Sequence, residues 1–173
     1  AKKSYKYGFR LLTLGWSDGN TFLPINSCLL SSENKKNRIT EAKCLDKRTN
    51  GYARRALAKT KATSVMIELI DQAQKANIPA SYVLFDTWFC FPASITQIKK
   101  KGLDVIAMLK KTPKMYFLYN EQMQPITEIY KQNKKRRGKS KYLLSVEITV
   151  VKDQESVPAR VIFVRNKNKR KDY

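Results

Sequence analysis

One carboxylate of this chain ends an apolar segment that has the length of a strand. Residues 82–86 read YVLFD, so Asp86 is the last residue of the segment, and Trp88 and Phe89 follow it closely. An apolar run of this length predicts a buried strand. Ligand and catalytic sites of open α/β sheets lie outside the carboxyl ends of such strands. Asp86 is therefore the first candidate for chemistry.

Two interpretations of Asp86 follow from this position. In the first, its side chain caps the turn or helix that begins in TWFCFPAS, or it pairs with a lysine. In the second, Asp86 is a ligand of a divalent metal ion. Paired ions about 3.5–4 Å apart cleave phosphodiester bonds, and such hard ions need several carboxylate oxygens from separate elements. The residues alone leave both interpretations open.

The charge of the chain points to a polyanionic partner. Among its 173 residues, Lys and Arg number 35 and Asp and Glu number 14, which gives a formal net charge of +21. An excess of this size predicts nucleic acid as the partner, although a basic ribosomal or membrane-surface protein has a similar balance. The charge therefore indicates a class of partner and no mechanism.

The cysteine and histidine content narrows the possible chemistry to carboxylates. Cys28, Cys44 and Cys90 are widely spaced, and the chain has no histidine. This argues against a disulfide framework, a Cys/His zinc site and a histidine-activated nucleophile. The sequence shows no apolar run of 18 residues and no signal peptide, so we expect an intracellular, reducing location and no membrane span.

The first half of the chain predicts a hairpin, a long basic loop and a helix. Residues 8–16 and 21–30 read as strands around the turn SDGN, with Pro24 at an edge or a bulge. Residues 31–62 are polar and basic, and we predict a loop there. Residues 64–77 predict a helix with Ser64 as its N-cap, because the apolar residues share one face. That face carries Val65, Met66, Leu69, Ile70 and Ala73.

The second half predicts a parallel strand pair followed by antiparallel strands. After the strand at 82–86, Pro92 opens a short helix that Gly102 closes, and residues 104–110 form the next strand. This order is typical of a right-handed βαβ unit. Beyond Thr112 four segments read as antiparallel strands, which places a subdomain boundary there. Those segments are 115–119, 126–130, 142–151 and 159–165.

Two basic segments are candidates for contact with phosphate groups. Residues 131–141 contain seven Lys and Arg, and residues 35–61 contain ten. A solvated surface is the usual interpretation of such runs, but their density here favours phosphate contacts that position DNA without reading its sequence. The residues we assign to nucleic-acid binding are Lys134, Lys135, Arg136, Arg137, Lys139, Arg54 and Arg55.

The aromatic residues beside Asp86 have a structural and a functional interpretation. Trp88 and Phe89 could contact bases or form a wall of the site, but packing into the core is the favoured prediction. Cys90 is predicted to be a small buried apolar residue. The aromatic residues of MYFLY, 115–119, are likewise predicted to belong to a core rather than to a stacking surface.

The hairpin GFRLLTLGWSDGNTFLPINSCLL and the later ASYVLFDTWFCFP together resemble the DDE transposases of bacterial insertion sequences. The resemblance covers nearly the whole chain and implies an α/β fold, an RNase H-like mixed sheet with flanking helices and a β-rich insertion. Residues 1–112 then form a partial catalytic core and 113–173 the insertion. The hairpin corresponds to the second and third strands of the family, and Asp86 to the second of three catalytic acids.

The resemblance also implies what this chain lacks. In the family, three acids hold two Mg²⁺ or Mn²⁺ ions, yet no acid-bearing strand precedes Lys6 and no later helix carries the third acid. Glu147 and Glu155 lie in strand or turn segments, so neither is nominated. We therefore expect a partial chain without the first strand and the last helix, inactive by itself and open to pairing at a sheet edge.

The function implied by the resemblance is cleavage and joining of DNA at transposon ends, with DNA as partner, a homodimer and the bacterial cytoplasm as location. Asp86 would be a catalytic residue and a metal ligand. Two alternatives stay open. One is a basic nucleic-acid-binding module without activity, which explains the charge and leaves Asp86 without a role. The other is an RNase H-like nuclease without strand transfer.

Overall fold

A computed structural model of the chain describes residues 9–41, 46–134 and 141–166. The chain forms two compact units, residues 1–80 and 81–173. Both combine helices with β-structure, as the predicted α/β class requires. The predicted boundary near Thr112, between a core of residues 1–112 and an insertion of 113–173, lies within the second unit and stays a prediction. In the described part of the chain, no helix has the length and apolarity that a membrane span needs.

The first unit begins with the predicted hairpin. Strands β1 (Arg10–Ser17) and β2 (Phe22–Leu30) pair antiparallel. Their register shifts between Leu14 and Gly15, where Gly15 faces Pro24. Proline cannot donate a ladder hydrogen bond, so an irregularity at this position is expected. The predicted edge or bulge at Pro24 is confirmed.

The hairpin turn depends on one aspartate. The Oδ1 atom of Asp18 accepts hydrogen bonds from the backbone N–H groups of Asn20 at 2.8 Å and Thr21 at 2.7 Å. Gly19 follows with a φ of +98°, a conformation that favours glycine. The two N–H donors hold the pKa of Asp18 below its ordinary value of 3.8.

We predict that Asp18→Ala lowers the melting temperature of the chain, and that this effect becomes smaller in acid, where the protonated carboxyl keeps an acceptor oxygen but loses its charge. A lowered carboxyl pKa in the folded state stabilises the fold above the ordinary pKa, and the stabilisation is lost as the pH falls through the lowered value. Thermal unfolding of both proteins across this pH range checks the prediction. Asp18→Asn, which keeps the acceptor oxygen, is the control. An effect of Asp18→Ala that did not change with pH would contradict the prediction.

The predicted loop at 31–62 is wrong where two helical segments form, and its other described residues are loop or turn up to the start of the next helix. A 3-10 turn covers Lys35–Asn37, and helix α1 covers Asn50–Ala58. The side chain of Thr49 caps α1 by accepting a hydrogen bond from the backbone N–H of Tyr52. The alanines of this segment favour a helix. The segment has few large apolar residues among its basic ones, so it lacks the apolar periodicity from which a helix is predicted.

Helix α2 (Ala62–Lys75) confirms the helix predicted at 64–77, but its start differs. Lys61 is the N-cap and makes no side-chain cap, so the prediction of Ser64 as N-cap is wrong. Ser64 lies in the first turn, where its N–H bonds to the Lys61 carbonyl. The predicted face forms the core of this unit, because Val65 and Leu69 pack with Cys28. Partly buried Leu12, Leu14, Leu30, Leu57 and Ala58 pack around them.

The second unit opens with the predicted βαβ arrangement. Strand β3 (Tyr82–Phe85), helix α3 (Pro92–Lys100) and strand β4 (Asp104–Ala107) follow in order, and the two strands pair in parallel. Gly102 follows α3 with a φ of +76°, which confirms its predicted helix-closing role. Among the described residues β3 and β4 form a separate two-stranded sheet, so the single RNase H-like mixed sheet remains a prediction.

The prediction that β3 is buried is wrong. Val83 and Phe85 are half-buried, whereas Tyr82 is 55% exposed and Leu84 70% exposed. On β4, Ile106 lies beside Leu84 and is 54% exposed. One face of this sheet is thus uncovered within the described residues. Burial of a short apolar strand depends on which elements cover it, and the strand's own sequence does not encode that cover.

The rest of the unit is a four-stranded sheet with one helix. Its strand order is β6-β5-β7-β8, all pairs antiparallel. The strands are β5 (Tyr116–Tyr119), β6 (Gln122–Pro125), β7 (Tyr142–Lys152) and β8 (Glu155–Val164). The buried core comprises Met115, Phe117, Ile126, Ile129, Val146, Ile148, Val150, Val157 and Phe163.

One predicted strand of this region is a helix. Residues 126–130 belong to α4 (Ile126–Asn133). Their β-branched residues suggested a strand. The buried side chains Ile126 and Ile129 instead lie three residues apart, on one face of the helix. Phe117 is in the core and Tyr119 packs against it, as predicted, but Tyr116 is 49% exposed on the opposite face of β5.

Candidate active site

Asp86 follows directly on β3, at the end of the sheet where the carboxyl ends of both parallel strands lie. Phe85 pairs with Ala107 at this end, so residues 86–88 and 108–110 leave the sheet side by side. We call these two segments the carboxyl edge. Asp86 is exposed there. The sequence therefore located Asp86 correctly at a strand end, although β3 itself is not buried.

The side chain of Asp86 closes a turn. Its Oδ1 atom accepts a hydrogen bond from the backbone N–H of Trp88 at 2.8 Å, and its carbonyl accepts one from Phe89 at 3.4 Å. The N-cap of α3 is Phe91, which makes no side-chain cap. The capping interpretation is thus correct for the turn and wrong for the helix. A carboxylate has about four acceptor positions, so this turn does not prevent binding of a cation.

Asp86 differs from seven other acids in the described part of the chain, which form ion pairs. Glu155 pairs with Lys100 at 2.9 Å, Asp104 with Lys99, and Glu128 with Lys131 at 2.8 Å. Glu147 is exposed on β7 and pairs with Arg160 of β8. Within the described ranges Asp86 forms no ion pair. Its charge is therefore not neutralised by a neighbouring lysine or arginine of that part of the chain.

The described residues do not complete a metal site around Asp86. No group of three or more acidic, cysteine or histidine side chains is placed to hold an ion in this part of the chain. One carboxylate falls short of the several oxygens that Mg²⁺ or Mn²⁺ requires. The donor set shown therefore does not fit the pair of ions that the sequence resemblance implies.

Trp88 is exposed, so the prediction that it packs into a core is wrong. Its side chain is 75% exposed, and the Lys110 ammonium lies 5.8 Å from the centre of its ring. The turn closed by Asp86 presents Trp88 at the carboxyl edge, where no described element covers it. Phe89 is half-buried. Cys90 is only 4% exposed, as predicted, and burial raises the pKa of its thiol.

Lys110 is a candidate that the sequence analysis missed. Lys110 lies three residues beyond the end of β4 and Asp86 directly follows β3, so both belong to the carboxyl edge. The predicted parallel pairing of the two strands was a signal for it, because parallel strands bring their carboxyl ends to one place. The exact register, which brings Lys110 towards Trp88, is visible only in the structure.

The predicted nucleic-acid-binding residues are partly described. Arg54 and Arg55 are exposed on α1, a helix and not the predicted loop. Lys134 is exposed and is the C-cap residue of α4. The other four predicted contacts lie outside the described residues, namely Lys135, Arg136, Arg137 and Lys139. Phosphate binding by all seven stays a prediction.

Comparison with known proteins identifies the family. The model of the DDE superfamily endonuclease family matches residues 2–167. No curated protein and no solved structure matched the chain significantly. The match spans both compact units and includes Asp86, Trp88 and Lys110. This chain therefore belongs to the DDE superfamily endonuclease family.

Proposed function

We propose that this chain is part of a DNA transposase and that Asp86 is one of the carboxylates of its catalytic metal site. The observation that carries the proposal is the position of Asp86. It lies at the carboxyl end of a parallel strand pair, outside any ion pair with the described residues, in a chain of the DDE endonuclease family. In the full-length protein the reaction would be cleavage and joining of phosphodiester bonds at transposon ends.

The proposed metal chemistry belongs to the full-length protein. Carboxylate oxygens suit Mg²⁺ and Mn²⁺, but the described residues supply one such group at this site and form no metal cluster. We therefore propose that the isolated chain is inactive. The remaining ligands have to come from acids that the described arrangement does not bring to Asp86.

DNA is the proposed substrate, and the excess of basic residues supports it. The formal net charge of +21 attracts polyanions such as DNA. Arg54 and Arg55 project from α1 into solvent, where they can contact phosphates. Because two transposon ends have to be joined, we propose a homodimer that holds them. A bacterial insertion sequence would place this reaction in the cytoplasm.

We predict that Arg54→Gln and Arg55→Gln each weaken DNA binding without changing sequence preference. Each lost phosphate contact should lower the slope of log affinity against log salt by about 1. Fluorescence anisotropy with labelled duplex DNA at several salt concentrations measures this slope. Lys75→Gln, at the exposed end of α2, is the matched control for loss of one charge. Equal slopes for all four proteins would show that α1 does not contact DNA.

The test of the proposed activity is a cleavage assay with the full-length protein. Duplex DNA carrying a labelled terminal sequence of the element is incubated with Mg²⁺, with Mn²⁺ or with a chelator. Transposase activity predicts metal-dependent strand cleavage at the end, followed by joining to a target duplex. Cleavage without joining would favour the alternative of a nuclease without strand transfer.

A non-enzymatic nucleic-acid-binding module is the second candidate function. The observation that favours it is the absence of a metal cluster around Asp86 within the described residues. In that case the role of Asp86 is the turn that it closes through Trp88. Salt-dependent DNA binding without cleavage, whichever metal is supplied to the full-length protein, would support this function over the proposed one.

A further inference from the structure

Trp88 is the most exposed of the aromatic side chains in the described residues. Three quarters of its surface, 75%, is open to solvent, although indole rings are usually well buried. It stands at the carboxyl edge, two residues after Asp86. An exposed ring at this position is available for contact with whatever binds next to the carboxylate.

The backbone around Trp88 is held in place on both sides. Before it, Asp86 accepts the Trp88 N–H at 2.8 Å. After it, the N–H of Phe91 bonds to the carbonyl of Phe89 at 2.9 Å, and the side chain of Cys90 is buried. The ring is thus presented by a hydrogen-bonded turn that is anchored to the unit. Such preorganisation lowers the entropy cost of binding a ligand.

Lys110 adds a positive charge beside this ring. Its ammonium lies 5.8 Å from the ring centre, within the distance of a cation–π interaction. Both side chains are exposed. An aromatic face with an adjacent cation matches a nucleotide, because the base can stack on the ring while the phosphate meets the charge. A purely apolar protein partner would have to cover the ammonium, at a cost in desolvation.

We propose that Trp88 and Lys110 form a binding site for an unpaired nucleotide next to Asp86. The indole stacks on the base, and the ammonium contacts a neighbouring phosphate. The ligand class is DNA with unpaired bases, because the faces of bases inside a duplex are already stacked and cannot reach the ring. This inference rests on the proposed function and adds that the DNA is locally unpaired at the site of cleavage.

The experiment compares two DNA probes without any divalent ion. One is a blunt duplex, and the other is the same duplex with a short single-stranded extension. Trp88→Leu keeps an apolar side chain but removes stacking. We expect it to weaken binding of the extended probe by about 5- to 100-fold and to change binding of the blunt duplex little. Trp88→Phe should retain most of the affinity, because phenylalanine can stack.

Two further variants test whether the loss of binding is specific to Trp88 and whether the Lys110 charge contacts a phosphate. Tyr116→Leu removes an exposed aromatic from the four-stranded sheet and should bind both probes like the wild type. Lys110→Gln should lower the salt slope for the extended probe by about 1. Equal affinity of wild type and Trp88→Leu for the extended probe would overturn the proposal, as would an equal loss for both probes.

Tryptophan fluorescence tests stacking on Trp88 even if Trp88→Leu folds poorly. The chain has two tryptophans, Trp16 and Trp88. Stacking predicts that the extended probe quenches fluorescence in the wild type, and that the quenching is lost in Trp88→Phe, which retains Trp16. Unchanged wild-type fluorescence on saturation with this probe would contradict stacking.

A failure of the nucleotide site can be distinguished from a failure of the proposed DNA cleavage activity. Asp86→Asn keeps an oxygen that can accept the Trp88 N–H, so it should keep the quenching even where it abolishes cleavage. Quenching together with Asp86-independent cleavage would retain the nucleotide site and reject the catalytic role. Asp86-dependent cleavage without quenching would support the catalytic role of Asp86 and reject the nucleotide site at Trp88.

Discussion

If Asp86 is the metal ligand proposed above, Asp86→Asn is expected to lower metal-dependent DNA cleavage by the full-length protein about 1000-fold, because a metal ligand contributes several kcal/mol to the transition state. The substitution removes the negative charge and preserves the size of the side chain. It also preserves the Oδ1 acceptor of the turn at Trp88. DNA binding and the melting temperature should therefore change little, which separates a catalytic from a structural role.

The matched control is Asp153→Asn. Asp153 is an exposed aspartate in the turn between β7 and β8, and its φ of +54° is one that asparagine tolerates. It pairs with Lys152 at the surface, and such exposed pairs contribute little to stability. Cleavage by this variant should match the wild type. If both variants cleaved DNA equally well, Asp86 would be only a turn residue.

Phe117→Ala is expected to lower the free energy of unfolding of the second unit by about 3–5 kcal/mol. Phe117 is 1% exposed and lies in the core between α4 and the four-stranded sheet. Removing its ring leaves a cavity among side chains such as Ile129 and Val150, which are themselves fully buried. The loss combines the transfer energy of the ring with the lost packing around it.

Tyr116→Ala is the control for Phe117, because it removes a neighbouring aromatic from the exposed face of the same strand. We expect it to cost less than about 1 kcal/mol. Since the chain has two compact units, the stability should be followed by hydrogen exchange of backbone amides in β7, which belong to the second unit. Similar losses for the two variants would show that the core is not where the structure places it.

The sequence predicted correctly those features that depend only on residues close together in the chain. The turn at Asp18 and Gly19 follows from turn chemistry, the register shift follows from Pro24, and the parallel pair follows from the Pro92 and Gly102 signals. The failures have local reasons too. Helix α1 has few large apolar residues among its basic ones, and β-branched residues made α4 look like a strand.

Burial was predicted less well, because it depends on distant parts of the chain. Leu84 and Trp88 are apolar in sequence and exposed in the structure. The position of Asp86 could be predicted since a strand end is a local feature. The approach of Lys110 to Trp88 could not be predicted from the sequence, because it depends on the register between β3 and β4. The described residues bring no further acids to Asp86 to complete a metal site. The sequence analysis had likewise identified no candidate for the first or the third acid.

The measurement that most directly tests the central claim is metal rescue of Asp86→Cys in the full-length protein. A thiolate is a softer ligand than a carboxylate and binds Mg²⁺ poorly. If Asp86 contacts the catalytic ion, the variant should fail to cleave terminal DNA with Mg²⁺ and regain cleavage with Mn²⁺, whereas Asp153→Cys should cleave with both. Equal cleavage by Asp86→Cys in both metals, or no rescue of an otherwise folded and DNA-binding variant, would contradict the assignment of Asp86 as a metal ligand.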